Sequence, residues 1–169
     1  MAFSPLADAT AFLGGGCSLT AFLVVTTICL VSCSEGIEQY RFALASLRGD
    51  INLVKQLIGS NKVNINATNG EIGPALVCAS YGGHKEIVEL LLEKGANIEI
   101  RDEKGTTALM NATIAGEIEI VKILLKNGAN PKTVVITEKG EKSNTTAMTI
   151  AQMKNYKEIE FLLERAVEK

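Results

Sequence analysis

A period of 33 residues dominates the middle of this chain. Four groups of residues recur with that offset: Ala75-Leu76 as Ala108-Leu109, Gly83 as Gly116, Ile87-Val88 as Ile120-Val121, and Gly95-Ala96-Asn97 as Gly128-Ala129-Asn130. A short unit of this size cannot bury its apolar face alone, so neighbouring units must complete its core. The period therefore predicts a stacked array of similar units.

The pattern inside one unit predicts two short helices. Thr107 can cap the first helix, and Gly116 can end it by adopting a left-handed conformation. Apolar residues then give a second helix a wide apolar face, which Gly128 closes: Ile118, Ile120, Val121, Ile123, Leu124 and Leu125. Helices of two to three turns do not persist in isolation, so each depends on packing between units.

The clearest copy of the unit, residues 101–130, resembles the ankyrin repeat. The resemblance rests on a hairpin Asp and Gly, a helix start, a Gly in mid-unit and a closing Gly-Ala-Asn: Asp102, Gly105, Thr107-Ala108-Leu109-Met110, Gly116 and Gly128-Ala129-Asn130. Ala108 and Met110 depart from the Pro and His that the family prefers at these places. The hydrogen bonds that this His makes between loops are therefore expected to be absent or replaced.

The resemblance implies an all-α, ankyrin-type solenoid of about four helix-turn-helix repeats within residues 36–169. The approximate units are 36–66, 67–99, 100–132 and 133–169. The second unit carries Ile72 where the family has its hairpin Gly, and Pro74 is expected to set φ in its first helical turn. Six inserted residues, within Thr137 to Asn144, are expected to make the fourth hairpin finger the longest.

Residues 1–33 have a different character. No charged residue occurs from Ala9 to Ser34, and residues 19–31 form an apolar run of the length expected for the hydrophobic region of a signal peptide. Leu30-Val31-Ser32-Cys33 resembles the bacterial lipobox, in which the Cys is lipidated and becomes the first mature residue. These residues predict a signal peptide or membrane anchor, lipidation of Cys33, and an exported lipoprotein in the membrane or periplasm.

Several alternatives to lipidation remain open. The segment before the apolar run carries Asp8 and no Lys or Arg, whereas export signals normally begin with basic residues. The uncharged stretch is also long enough to stay as a single membrane span. Cleavage after Cys33 without lipidation would give a secreted protein, a misassigned start would make the first dozen residues non-native, and a cytosolic protein is the least favoured outcome.

The array offers little for catalysis. His84 is the only histidine, and its place predicts a packing role at the start of a helix. Cys78 is the only cysteine of the array and is expected to be a small buried residue. The formal net charge of −2 gives no electrostatic case for nucleic acid. We therefore expect no enzyme activity, metal, cofactor, small-molecule substrate or nucleic-acid partner.

The resemblance implies protein binding through the hairpin fingers and the concave face of the first helices. One equivalent place at the end of each first helix is apolar in all four units, and we call these residues the apolar strip: Leu47, Tyr81, Ile114 and Met153. The next place carries Arg48 in the first unit and Lys154 in the fourth. Finger residues would supply polar contacts: Thr68, Glu71, Arg101, Glu103, Lys104 and Thr106. Apolar side chains with a polar rim are typical of an interface.

These observations predict an exported protein-binding module that guards, assembles or inhibits an envelope or secreted protein. One alternative is that the apolar strip merely covers the seams between units. Two further alternatives are a structural spacer and an enzyme with an unrecognised site around Cys78 or His84.

Overall fold

The computed structural model describes residues 36–68, 72–136, 140 and 143–168. Eight helices occur in these ranges. They are α1 (36–48), α2 (Ile51–Gly59), α3 (Ala75–Tyr81), α4 (Lys85–Glu93), α5 (Ala108–Ala115), α6 (Ile118–Lys126), α7 (Ala147–Lys154) and α8 (Lys157–Val167). Extended pairing within the described ranges is limited to single bridges, such as the antiparallel pair of Arg101 and Thr107. The fold is therefore an all-α array of four helix pairs, as predicted.

The helices pack in two rows. The first helices α3, α5 and α7 contact one another in sequence, and the second helices α4, α6 and α8 do the same. Each first helix also packs on the second helix of its own unit. Neighbouring units therefore share one core, and a substitution that destabilises one unit should also destabilise the next.

Helix ends follow the sequence signals with one difference. The Thr107 hydroxyl accepts a hydrogen bond from the Met110 amide, and Gly116 ends α5 with φ of 81°. In the second unit, Pro74 lies just before α3 with φ of −65° and ψ of 145°, so the helix begins at Ala75. Pro74 therefore caps the helix from extended backbone and is not part of its first turn.

Glycine adopts a left-handed backbone conformation in each of two fingers. Gly105 has φ of 74°, and its α-carbon lies so close to the Ile136 carbonyl that a side chain would collide with it. In the second unit the left-handed position, with φ of 92°, falls on Gly73, directly after Ile72. The family's hairpin glycine is thus displaced by one residue in that unit.

Polar side chains connect neighbouring loops. Met110 is buried in the core. Asn66 Oδ1 accepts a hydrogen bond of 2.7 Å from the Asn97 amide, and Glu99 Oε1 accepts one of 2.8 Å from the Asn130 amide. These bonds each cross one repeat and join neighbouring loops.

His84 lies at the junction of the first two units. It precedes α4, and its Nε2 is 2.9 Å from the Leu47 carbonyl oxygen. The ring lies against Gly82, where a Cβ would come within 2.7 Å of the His84 Cδ2. His84 therefore has the packing role predicted for it, and the glycine provides the space.

Candidate protein-binding surface

A groove of about 570 Å³ opens along the first helices of the first three units. Its lining contains six residues predicted to bind a partner: Leu47, Tyr81, Ile114, Glu103, Lys104 and Thr106. The groove arises because the third finger, residues 101–107, stands beside the ends of α3 and α5. Apolar helix residues and polar finger residues thus face the same space.

Three of the four apolar-strip residues line this groove. Tyr81 is 52% exposed at the end of α3, while Leu47 and Ile114 are half-buried. Met153, the fourth residue, is 84% exposed on α7 and does not line the groove. The strip is therefore continuous over the first three units only.

The remaining predicted residues have varied positions. Arg48, Thr68 and Lys154 are exposed but do not line the groove. Glu71 and Cys33 lie outside the described residues. Their predicted roles remain predictions.

Arg101 has an internal function in the array. Its Nη1 donates hydrogen bonds to the Gly105 carbonyl at 2.7 Å and to the Val134 carbonyl at 2.8 Å. The side chain is half-buried, which strengthens both bonds relative to exposed ones. Arg101 therefore joins the third finger to the start of the fourth unit, a contact that the sequence reasoning did not anticipate.

A hydrogen-bond network holds the third finger in shape. The Asp102 carboxylate accepts from the Thr106 amide at 2.8 Å and from the Thr106 hydroxyl at 2.7 Å. The Thr106 hydroxyl in turn accepts from Asn111 Nδ2 at 2.7 Å. The polar wall of the groove is thus ordered before any partner arrives.

The side-chain oxygen of Asn111, Oδ1, is a hydrogen-bond acceptor on this wall. The residue is only 9% exposed, and its Nδ2 also donates to the Thr107 carbonyl at 3.1 Å. A carbonyl oxygen can only accept, so this bond fixes the orientation of the side-chain amide. None of the hydrogen bonds formed among the described residues uses Asn111 Oδ1. Because Asn111 lines the groove, this oxygen can accept a hydrogen bond from a donor there.

Asn111 and Asp102 were missed as groove residues by sequence reasoning. One signal could have identified Asn111, namely a single amide in a helix otherwise made of apolar and small residues, Ala108–Ala115. Asp102 was recognised only as a hairpin residue. Its position against Gly73 of the preceding unit depends on the stacking of the fingers.

Cys78 lies in the groove floor as a protonated thiol. Its side chain is buried, and Sγ donates a hydrogen bond of 3.3 Å to the Ile72 carbonyl. Burial raises the pKa of Cys78 to about 12, and the negative charge of Asp102 adds to this effect. A thiol with such a pKa is not a nucleophile at neutral pH. The prediction that Cys78 is a small buried residue is confirmed.

The described ranges contain no group of three His, Cys, Asp or Glu side chains that could bind a metal ion. Among the helices of the described part of the chain, none has the length and apolar character needed to cross a bilayer.

The repeat units are similar to those of known proteins. The family described as "Ankyrin repeats (3 copies)" matches residues 42–135, more than half of the chain. A segment of 33 residues is 64% identical to the Ankyrin repeat and KH domain-containing protein mask of Drosophila melanogaster, covering 20% of this chain and 1% of that protein. A segment of 46 residues is 50% identical to human Ankyrin repeat domain-containing protein 17, covering 27% and 2%.

A third relative is Protein fem-1 homolog A-like of Mus musculus, with 37% identity over 51 residues, or 30% of this chain and 8% of the relative. The matched segments therefore span only a small part of the length of all three relatives. This similarity concerns the repeat units and not the whole proteins.

Proposed function

The chain belongs to the ankyrin-repeat family, whose arrays are protein–protein interaction modules, and we propose that it binds a partner protein through the groove of its first three units. One observation carries this proposal: Leu47, Tyr81 and Ile114 line a single groove together with residues of the third finger. A spacer needs no such convergence of apolar and polar side chains. The proposed activity is binding without catalysis.

The groove supports a partner segment of defined chemistry. Its apolar residues suit one large apolar side chain, and its polar wall carries the Asp102 and Glu103 carboxylates, the Asn111 Oδ1 acceptor and a single cation, Lys104. Acceptors and negative charge therefore exceed donors on that wall. We expect the partner to present an apolar side chain next to a backbone amide, Lys or Arg.

The order of the finger supports binding with a small loss of entropy. Asp102 and Thr106 are linked by two hydrogen bonds, and Arg101 links the finger to the following unit. A preformed surface avoids the cost of ordering loops on association. Moderate buried area is then sufficient for useful affinity.

Variants of the groove test this proposal. The full chain with a C-terminal affinity tag would be used to recover its partner from the detergent-solubilised envelope of its own cells. Tyr81→Ala should weaken binding by about 2 kcal/mol, roughly thirtyfold, because aromatic residues at the centre of an interface contribute much of its energy. Titration of the purified partner by calorimetry gives the measurement.

Glu89→Ala is the matched control, because Glu89 is an exposed residue of the second helix α4 and does not line the groove. It should bind at wild-type strength. If Tyr81→Ala, Ile114→Ala and their double variant also bind at that strength, the groove is not the binding site. The inserted finger within residues 137–144 would then be the next surface to test.

For the N-terminal segment, we propose export with lipidation of Cys33. The uncharged apolar run and the Leu-Val-Ser-Cys motif before residue 34 support this proposal. A tethered array of this size would guard, assemble or inhibit an envelope or secreted protein. Two acyl chains anchor a protein far more firmly than one, so the mature protein should sediment with membranes.

Mass spectrometry of natively expressed protein decides between the alternatives for this segment. A diacylated Cys33 at the mature N-terminus is expected, and Cys33→Ala should abolish lipid-dependent processing. An intact terminus at Met1 would indicate an uncleaved anchor instead. An unmodified terminus at Ser34 would indicate simple secretion.

A further inference from the structure

The outward face of the second helices changes sign of charge in the middle of the array. Helices α4 and α6 each have nine residues, and their fifth and ninth residues are exposed. These places hold Glu89 and Glu93 in α4 but Lys122 and Lys126 in α6. No ion pair joins the two helices within the described part of the chain, although α4 and α6 are neighbours. Lys122 is instead paired within its own chain, with Glu119 at 2.8 Å and with Glu158 at 3.5 Å. Glu89, Glu93 and Lys126 form no ion pair among the described residues.

The outward face thus has an acidic pole at α4 and a basic pole at α6, and a groove with apolar residues lies beside each. A groove of about 280 Å³ beside α4 is lined by Ile51 and Leu90 together with Glu86, Glu89 and Glu93, and Lys55 is its single cation. A groove of about 480 Å³ beside α6 contains Leu125 and Leu162. Its charged lining consists of three cations and no carboxylate: Lys122, Lys126 and Arg165. Each groove thus combines apolar side chains with a predominance of one sign of charge.

We propose that two copies of this chain associate through this outward face, with α4 of one copy against α6 of the other. The two copies are related by a two-fold axis that runs parallel to the helices, at the boundary between the second and third units. This axis places the second unit of one copy opposite the third unit of the other, and the facing helices run in the same direction. Glu93 then meets Lys126 of the second copy, and Glu89 lies opposite Lys122, which also pairs with Glu119 and Glu158 of its own chain. Symmetry makes each of these contacts twice.

The outer helices α2 and α8 are paired as well. The fifth residue is Lys55 in α2 and Phe161 in α8, and the same axis places these two helices opposite each other. Phe161 is 57% exposed, but Arg165 already lies 5.7 Å from its ring centroid, so this pair adds little to the attraction. The second place is less favourable, because it holds Glu86 in α4 and Glu119 in α6. Attraction therefore comes mainly from the ninth places, Glu93 and Lys126, because Lys122 is partly neutralised within its own chain.

A second copy suits this face better than an unrelated acidic or basic protein. An acidic partner would neutralise only the α6 pole and would face repulsion from α4. A second copy neutralises both poles, and complementary charge fixes register and orientation as well as affinity. The first helices and their groove remain free, so this inference does not depend on the proposed function and can fail separately from it.

Charge exchange tests the proposal directly. The full chain in non-ionic detergent should show a monomer–dimer equilibrium in sedimentation velocity, and the dimer should weaken as salt rises. Glu93→Lys and Lys126→Glu should each raise the dimer dissociation constant roughly tenfold or more, since each creates two like-charge contacts. The double variant, Glu93→Lys with Lys126→Glu, should restore dimerisation because the pairs are re-formed in reverse.

Lys104→Glu is the matched control, because it makes the same charge change on the third finger, in the groove along the first helices. It should leave the dissociation constant unchanged. Circular dichroism checks that every variant is folded. Glu93→Gln, which removes the charge without reversing it, provides a second test if Lys126→Glu is unstable, and it should weaken the dimer less than Glu93→Lys does. A wild-type chain that stays monomeric over a roughly hundredfold concentration range would overturn the proposal. So would dimerisation that is insensitive to these charges, or a double variant weaker than both single ones.

Discussion

Helices α5 and α6 belong to the same unit and have nearly the same length, yet they bury very different fractions of their residues. Six of the eight residues of α5 are buried, including the polar Asn111 and Thr113. Only three of the nine residues of α6 are buried: Ile120, Val121 and Leu124. The difference arises because α5 is packed between α3, α7 and α6, whereas α6 keeps one face toward solvent.

This contrast explains what each row of helices can do. A helix buried on nearly all sides needs small residues for close packing, and α5 accordingly contains Ala108, Ala112 and Ala115. Its polar residues are committed to internal hydrogen bonds or to the groove. An amphipathic helix such as α6 packs on the core through one apolar face, and the charged residues of its other face are not fixed by core packing. The first row therefore defines the groove, and the second row defines the charge of the outward face.

The largest expected effect tests the core stripe of the second row. Leu124 is fully buried on α6. Leu124→Ala should lower the free energy of unfolding by roughly 2–5 kcal/mol, because the lost side chain leaves a cavity between neighbouring units. Thermal and urea denaturation followed by circular dichroism give the measurement, and protection of α8 amides from hydrogen exchange should fall as well.

Glu89→Ala is the control for this experiment, since it changes the exposed face of a second helix. At protein concentrations well below those used for sedimentation, its stability should stay within about 0.5 kcal/mol of wild type. Unchanged stability of Leu124→Ala would contradict the assignment of Leu124 to the shared core.

A smaller effect tests the first row through pH. Burial raises the pKa of the Cys78 thiol from 9.0 to about 12, with a further contribution from Asp102. The folded protein therefore holds a proton that the unfolded chain releases above pH 9. The contribution of Cys78 to stability is fully present below that pH and should fall by roughly 1.4 kcal/mol per unit as the pH rises toward 12.

Comparison with Cys78→Ala isolates this contribution from other groups that titrate in the same range. Urea denaturation of both proteins at about pH 8 and about pH 10 should show a smaller loss of stability in the variant. Equal losses in the two proteins would mean that the thiol is not protected from ionisation in the fold.

Much of the fold was predictable because the repeat makes each signal recur. The Thr107 cap, the left-handed Gly116 and the three buried residues of α6 follow from local rules that depend on a few neighbouring residues. Pro74 shows the limit of such rules. Its backbone suits either a first helical turn or a cap, and the extended ψ that decides the matter depends on how the chain leaves Gly73.

The candidate site was predictable in its apolar part and not in its polar part. Leu47, Tyr81 and Ile114 occupy one place of the repeat, so their common location follows from the period alone. Met153 shares that place but lies beyond the third finger, and the groove does not reach it. Asp102 and Asn111 come together because a hairpin folds back over a helix start, which spacing along the chain does not reveal.

The sequence by itself determined the repeat length, the helical class and the alternation of buried and exposed rows. These properties follow from periodicity, which is local and is repeated in every unit. The tertiary structure decided which polar side chains became structural, such as Arg101 and Glu99, and which were left available, such as Asn111 Oδ1. A hydrogen bond needs two groups at a fixed distance and angle. That geometry exists only after neighbouring units have stacked and set the position of one loop on the next.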